Sequence, residues 1–141
     1  MYHNIFDSHA HYDDEQFDTD RNELLVSFRE NGVTGVVCCG TNIKTSEIAV
    51  ELSHKYDFVY SAVGFHPLDN DKYKDGDLER IKELAKDEKC VAIGEIGLDY
   101  HYEKESRAEQ LILLEKQIQL ANELDLPIIF HDRESHEDTL N

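Results

Sequence analysis

The chain has 141 residues, enough for one domain with a core of its own. Its 14 Lys and Arg stand against 31 Asp and Glu, a net charge of −17. An acidic surface of that size repels polyanions at long range. It speaks against a passive nucleic-acid binder with a basic stripe, but not against an enzyme whose bound cations meet a phosphate.

Runs of two periods alternate along the chain. The first strand is expected over Asn4 to Ser8 and leads into His9-Ala10-His11. Ile5, Asp7, His9 and His11 alternate, and alternate side chains of a strand share a face. A helix follows over Arg21 to Asn31, with Gly32 in C-cap position. Gly35 to Cys39 reads as the second strand. Gly40-Thr41-Asn42-Ile43-Lys44-Thr45 superficially resembles a phosphate loop, but lacks the second glycine before the lysine. A helix over Thr45 to Lys55 and a strand over Phe58 to Val63 come next. The acidic stretch from Asp69 to Asp77 is expected to be a solvated loop.

A third helix is expected over Leu78 to Asp87, and a fourth strand over Val91 to Ile96. The clearest helix runs from Glu105 to Leu124, where Leu111, Leu114, Ile118 and Ala121 recur at three- and four-residue spacing. Ser106 and Glu109 suit a capping box at its start. Pro127 opens a last strand over Ile128 to Phe130, where its missing N–H is tolerated. Short, Val- and Ile-rich strands alternating with helices are the pattern of a parallel α/β sheet. Two architectures suit it, a doubly wound sheet or a (β/α)8 barrel. Cys38, Cys39 and Cys90 lie in apolar runs without metal-binding spacing, and are expected to be buried small hydrophobes of a reducing compartment. No leader-like start and no apolar run near the ~20 residues of a membrane span are present. A cytoplasmic protein with no membrane partner is expected.

Functional groups of either parallel fold gather at the carboxyl ends of the strands. His9 and His11 follow strand one, His66 follows strand three, Glu95 lies near the end of strand four, and His131 ends strand five. Singly, each has a bland reading as a structural hydrogen-bonder or salt bridge; together they point to a metal. Imidazole with carboxylate and no thiolate suits Zn²⁺, Mn²⁺ or Mg²⁺. Glu95 has two oxygens and could bridge two ions, which ~3.5–4 Å apart would clamp the attacking and leaving oxygens of a phosphodiester. Asp7 is placed either to orient an imidazole or to cap the strand. Arg133 stands two residues beyond His131 and could hold a phosphate bidentately; its bland reading is a salt bridge. His101 and His136 receive no role.

Four segments then carry a resemblance: DSHAHYDDEQFD (Asp7 to Asp18), VGFHP (Val63 to Pro67), AIGEIGLDYH (Ala92 to His101) and LPIIFHDRESHEDTL (Leu126 to Leu140). In this order and spacing the chain resembles the TatD-type metal-dependent deoxyribonucleases of the metal-dependent hydrolase superfamily, over nearly its whole length. The resemblance implies a (β/α)8 barrel with one or two divalent cations at its C-terminal face. It implies that His9, His11, Glu95 and His131 hold metal, and that His66 and Arg133 lie near the scissile phosphate. The implied activity is metal-dependent hydrolysis of DNA, often from the 3′ end of single strands.

Such a barrel takes roughly 250 residues. The family's further histidine after strand six and aspartate near strand eight have no counterpart here. Residues 1–141 are therefore expected to be one domain-sized N-terminal portion, the first five strands and four helices, whose own activity is doubtful. Self-association of the incomplete barrel is the other way to close it. Two further readings stand beside the nuclease. One is hydrolysis of ester or amide bonds, for instance on mis-acylated tRNA. Relatives that cleave amides often use a modified lysine on strand four, where this chain has Glu95. The other is a non-catalytic fragment or association module.

Overall fold

The computed structural model describes residues 3–102 and 106–141. Ten elements alternate: β1 (Ile5–Ala10), α1 (Arg21–Glu30), β2 (Val33–Cys39), α2 (Ile43–Lys55), β3 (Val59–Val63), α3 (Asp77–Leu84), β4 (Cys90–Asp99), α4 (Arg107–Leu124), β5 (Ile128–Arg133) and a one-turn α5 (His136–Thr139). Three-residue and six-residue 3₁₀ turns, Glu15–Phe17 and Pro67–Lys72, lie after β1 and β3. The second occupies part of the acidic stretch expected to be a loop. Expected Glu105, at the start of the long helix, lies outside the described residues; Ser106 follows it and accepts from Gln110 Nε2 at 3.0 Å.

All five strands are parallel, in the order β1-β2-β3-β4-β5. Strand alternation sorts the side chains into two layers. Val36, Cys38 and Val59 pack under α1 and α2 with Leu25, Ala49 and Leu52. Val63, Ile93, Ile96 and Leu98 pack under α3 and α4 with Ile81, Leu113 and Leu120. Each fully buried aliphatic side chain of this kind contributes about 1.5–3 kcal/mol. The opposite, inner face carries Val37, Cys39, Ala62 and Ala92, flanked by Tyr60, Val91 and Ile129. All three cysteines are buried and free, as expected.

Local chemistry sets the turns between these layers. Gly32, at φ 86°, follows the Asn31 cap of α1 as its position in the sequence suggests. The phosphate-loop look-alike is a capping box. The Asn42 side chain accepts from Thr45 N at 3.1 Å, and Thr45 Oγ1 accepts from the N–H groups of Asn42 (3.0 Å) and Thr41 (2.8 Å). Those amides are thus occupied by Thr45. Among the described residues no helix is long and apolar enough to cross a membrane.

Two departures from strict alternation shape the inner face. In β1 the register shifts between Asp7 and Ala10. Phe6 therefore lies against Gly35 and stacks on Tyr60, while His9 and His11 also turn inward. Asp7 is not beside an imidazole; its Oδ1 accepts from His9 N at 3.2 Å. In β4 the register shifts between Ile93 and Ile96. Both of these side chains enter the helix-side core although they are three residues apart, so the intervening Gly94-Glu95 segment carries an extra residue.

Gly97 closes the same region. It sits opposite His131 in the β4–β5 ladder, at φ 153°, and a Cβ there would stand 1.9 Å from the His131 carbonyl oxygen. Gly97→Ala should therefore lower stability by more than the about 1–3 kcal/mol of a sparsely populated backbone conformation. Urea unfolding of the whole chain followed by circular dichroism checks this. A midpoint equal to that of the unmutated chain would refute the close approach of β5 to β4.

Candidate metal centre

The strands bring five groups to one point: His9 and His11 from the end of β1, His66 from just after β3, Glu95 from within β4 and His131 from within β5, the last two strands running on beyond them to Asp99 and Arg133. Glu95 is the hub. Its Oε2 lies 3.1 Å from His9 Nε2 and 3.1 Å from His11 Nε2. Its Oε1 lies 3.1 Å from His131 Nδ1 and 3.9 Å from His66 Nε2. Two groups of three follow, His9–His11–Glu95 and His66–Glu95–His131, each with donor atoms within 4.8 Å of one another. Glu95 is buried, at 5% exposure. Burial raises its pKa, but hydrogen bonds to His11 and His131 outweigh that and hold it well below the usual carboxylate range. His11 and His131 are in turn raised, chiefly by their hydrogen bonds to Glu95. A dication at this point would take the place of those protons.

The partners of each ring fix which nitrogen keeps its hydrogen. His11 Nδ1 donates to the Cys39 carbonyl at 2.8 Å, so Nε2, which faces Glu95, is the nitrogen that would exchange its proton for a cation. His131 Nε2 donates to Asp99 Oδ2 at 2.9 Å, which leaves Nδ1 toward Glu95. This carboxylate–imidazole pairing is the usual support of a metal-binding histidine. His66 is the reverse. Its Nδ1 accepts from Leu68 N at 3.1 Å, so the neutral ring carries its hydrogen on Nε2, facing the centre. Burial lowers its pKa to about 4 and keeps the ring neutral near pH 7. His11 and His131 are therefore arranged as lone-pair donors to a cation beside Glu95, and His9 Nε2 faces the same carboxylate. His66 is arranged as a hydrogen-bond donor.

Asp99 is the residue that sequence reasoning missed. It is fully buried, holds His131 with one oxygen and accepts from His101 N at 3.0 Å with the other. Burial raises its pKa, but the hydrogen bonds from His131 and from the backbone N–H groups of Tyr102 and His101 together outweigh that and lower it. Its position at the end of a strand, four residues past Glu95, was the available signal. Arg21 fixes the turn after His11 by donating to the carbonyls of Asp14 (2.7 Å) and Asp13 (3.3 Å). The Asp13 carboxylate, also buried, accepts from Cys38 Sγ at 3.2 Å.

Arg133 does not touch the Glu95 cluster. Its guanidinium lies 4.8 Å over the Tyr102 ring, on the exposed rim beyond His131. Arg21, Arg29, Arg80 and Arg107 each pair with a carboxylate; among the described residues Arg133 has no such partner. The salt-bridge reading of Arg133 does not hold there. His101 and His136 pair with Glu134 and Asp132, away from the cluster. An open pocket of about 370 Å³ adjoins the centre, lined in part by His11, Thr41, His66, Asp69 and Glu95.

Comparisons with known proteins follow the same outline. A family profile described as TatD related DNase matches residues 6–141. The chain is 43% identical over 136 residues to an uncharacterized metal-dependent hydrolase, YabD, of Bacillus subtilis, covering 96% of the chain and 53% of that protein. It is 33% identical over 133 residues to the Escherichia coli 3′-5′ ssDNA/RNA exonuclease TatD, covering 94% of the chain and 51% of that protein. The crystal structure of YJJV, a TatD homologue from Escherichia coli, superposes with a TM-score of 0.89 at 31% identity, over 96% of this chain and 53% of that one. A TatD-family hydrolase structure from Entamoeba histolytica also gives 0.89, at 25% identity, over 99% of this chain and 53% of that one. The chain thus spans about half the length of the curated relatives it matches, and its five strands form a fragment of their TIM-barrel fold.

Isothermal titration with Zn²⁺ tests the donor assignment. His9→Ala should weaken binding strongly, and Glu95→Gln should weaken it further because both histidine pairs share that carboxylate. His66→Ala should leave Zn²⁺ affinity nearly unchanged. A large loss of affinity in His66→Ala would overturn the reading of His66 as a hydrogen-bond donor.

Proposed function

Because the chain belongs to the family of TatD-related DNases, we propose that residues 1–141 furnish the metal-holding part of a hydrolase that cleaves phosphodiester bonds of single-stranded DNA from its 3′ end. The observation that carries this is the Glu95 carboxylate, with one oxygen facing His9 and His11 and the other facing His131 and His66. A shared carboxylate between separate imidazole groups suits one or two divalent cations, of the Mg²⁺, Mn²⁺ or Zn²⁺ type. When bound, such cations supply Lewis acidity at a phosphoryl oxygen and neutralise charge that the acidic chain itself cannot.

The chain's own residues divide the remaining work. His9, His11, Glu95 and His131 would hold the cations, and Asp99, bonded to His131 Nε2, would keep its Nδ1 turned toward them. His66 presents Nε2–H toward the same point, where it can donate to a phosphoryl oxygen as negative charge develops. Arg133, without a carboxylate partner among the described residues and lying over Tyr102, would hold a second phosphate of the strand bidentately. The substrate assignment is supported by relatives named as ssDNA/RNA exonucleases. The single-stranded DNA and the 3′ polarity belong to this proposal, as does the cytoplasm as its setting.

Cleavage of 3′-labelled single-stranded DNA, beside RNA of the same sequence, tests the reading. Activity should require Mg²⁺ or Mn²⁺ and vanish with a chelator. Glu95→Gln should cost more than the about tenfold to hundredfold typical of losing a partner behind a metal ligand. Cleavage that persists in Glu95→Gln or in chelator would refute the proposal. Arg133→Ala should raise KM for DNA without changing Zn²⁺ affinity; an unchanged KM would remove Arg133 from substrate binding.

A further inference from the structure

Helix α4 carries two glutamines, Gln110 and Gln117, on the face that packs against the sheet, and each is 1% exposed. They are seven residues apart, two helical turns, and so share one face. Both make the same pair of contacts. Gln117 Oε1 accepts from Phe65 N at 2.7 Å, and its Nε2 donates to Phe65 O at 3.1 Å. Gln110 Oε1 accepts from Asp99 N at 2.8 Å, and its Nε2 donates to Asp99 O at 3.0 Å. A side-chain amide thus serves each residue as a neighbouring strand would.

The two places are where the ladder ends. The rungs between β3 and β4 stop at Val63 and Ile93. Phe65 and Asp99 lie beyond them, buried, where unpaired backbone groups would be costly. Each clamped residue also sets a site group. Phe65 is bonded to His66, whose ring faces Glu95. Asp99 carries the carboxylate that holds His131 at 2.9 Å. Neither glutamine reaches the strand that bears His9 and His11.

We propose that Gln117 and Gln110 are positioning residues: Gln117 fixes the His66 ring and Gln110 fixes the Asp99–His131 pair, so that α4 sets one half of the centre from behind. The inference rests on the reading of His66 and His131 as site groups, and goes beyond it in assigning what aims them.

The test uses the imidazole ring signals of the whole, metal-free chain in long-range ¹H–¹⁵N spectra, together with Zn²⁺ titration. The His66 and His131 rings are in edge contact at 4.2 Å, so each reports on the other. In Gln117→Leu the His66 signals should shift most, and in Gln110→Leu the His131 signals, while those of His9 and His11 stay in place in both. Zn²⁺ affinity should fall in Gln110→Leu by up to about tenfold, and stay unchanged in Gln117→Leu. Should Gln117→Leu fail to fold, Gln117→Glu keeps an acceptor for Phe65 N–H, loses the donor to Phe65 O, and should move the same His66 signals. Signals that do not move, or that move together in all four rings, would overturn the proposal. Absence of Zn²⁺ binding by the unmutated chain would instead overturn the metal reading, and the ring signals would still decide the role of the glutamines.

Discussion

A carboxylate withdrawn from water costs several kcal/mol unless opposite charge or hydrogen bonds replace the solvent. Glu95 is in that position, and four imidazoles supply the replacement. None of them is near it in sequence: His9 and His11 arrive from β1, His66 from the end of β3, His131 from β5. The centre therefore exists only if the parallel sheet has this strand order and this register. The dependence runs both ways. Without the imidazoles, or cations in their place, the inner mouth of the sheet would bury an uncompensated charge.

Register alone would not deliver these groups, because a uniform strand alternates its faces. The shifts in β1 and β4 are where the site departs from the ideal sheet. One lets Phe6 and His9 both face inward. The other lets Ile93 and Ile96 both face the helices, with Glu95 between them on the inner side. Glycine is what makes the second possible. A Cβ on Gly94 would stand 2.7 Å from Ile129 Cβ, and one on Gly97 would collide with the backbone of His131. The approach of β5 that brings His131 to Glu95 is the approach that a side chain at either position would block.

This bears on what could be read from the sequence. The alternating runs of β2 and β3 and the apolar spacing of the helices give the fold, because burial selects residue types with a period. His9, His11, Glu95 and His131 are visible because imidazoles and carboxylates at strand ends are rare and chemically suggestive. Asp99 carries the same signal at the end of β4, whereas the buried α4 glutamines are not visible in this way. Along α4 the buried face is Gln110, Leu113, Leu114, Gln117, Leu120 and Ala121, and an apolar pattern passes over the two polar members. Their partners are backbone groups at strand ends, which have no sequence signature. Of the two readings of Asp7, the one that orients an imidazole gives way, because the alternation is broken by the shift within β1 and its Oδ1 accepts from the His9 backbone N–H instead.

The charge of the chain limits how it can meet a polyanion. A protein that tracks a strand neutralises many phosphates with Lys and Arg. Here Arg21, Arg29, Arg80 and Arg107 are committed to carboxylates, and among the described residues Arg133 is the arginine without a carboxylate partner. In the proposed reading, attraction would come from cations held at Glu95, over short range because salt screens beyond about 8–10 Å. A surface that repels a strand along its length and attracts it at one point favours an end over an interior segment. That is a physical argument for the end-directed cleavage proposed above, and it follows from the same carboxylate excess that speaks against a basic binding stripe.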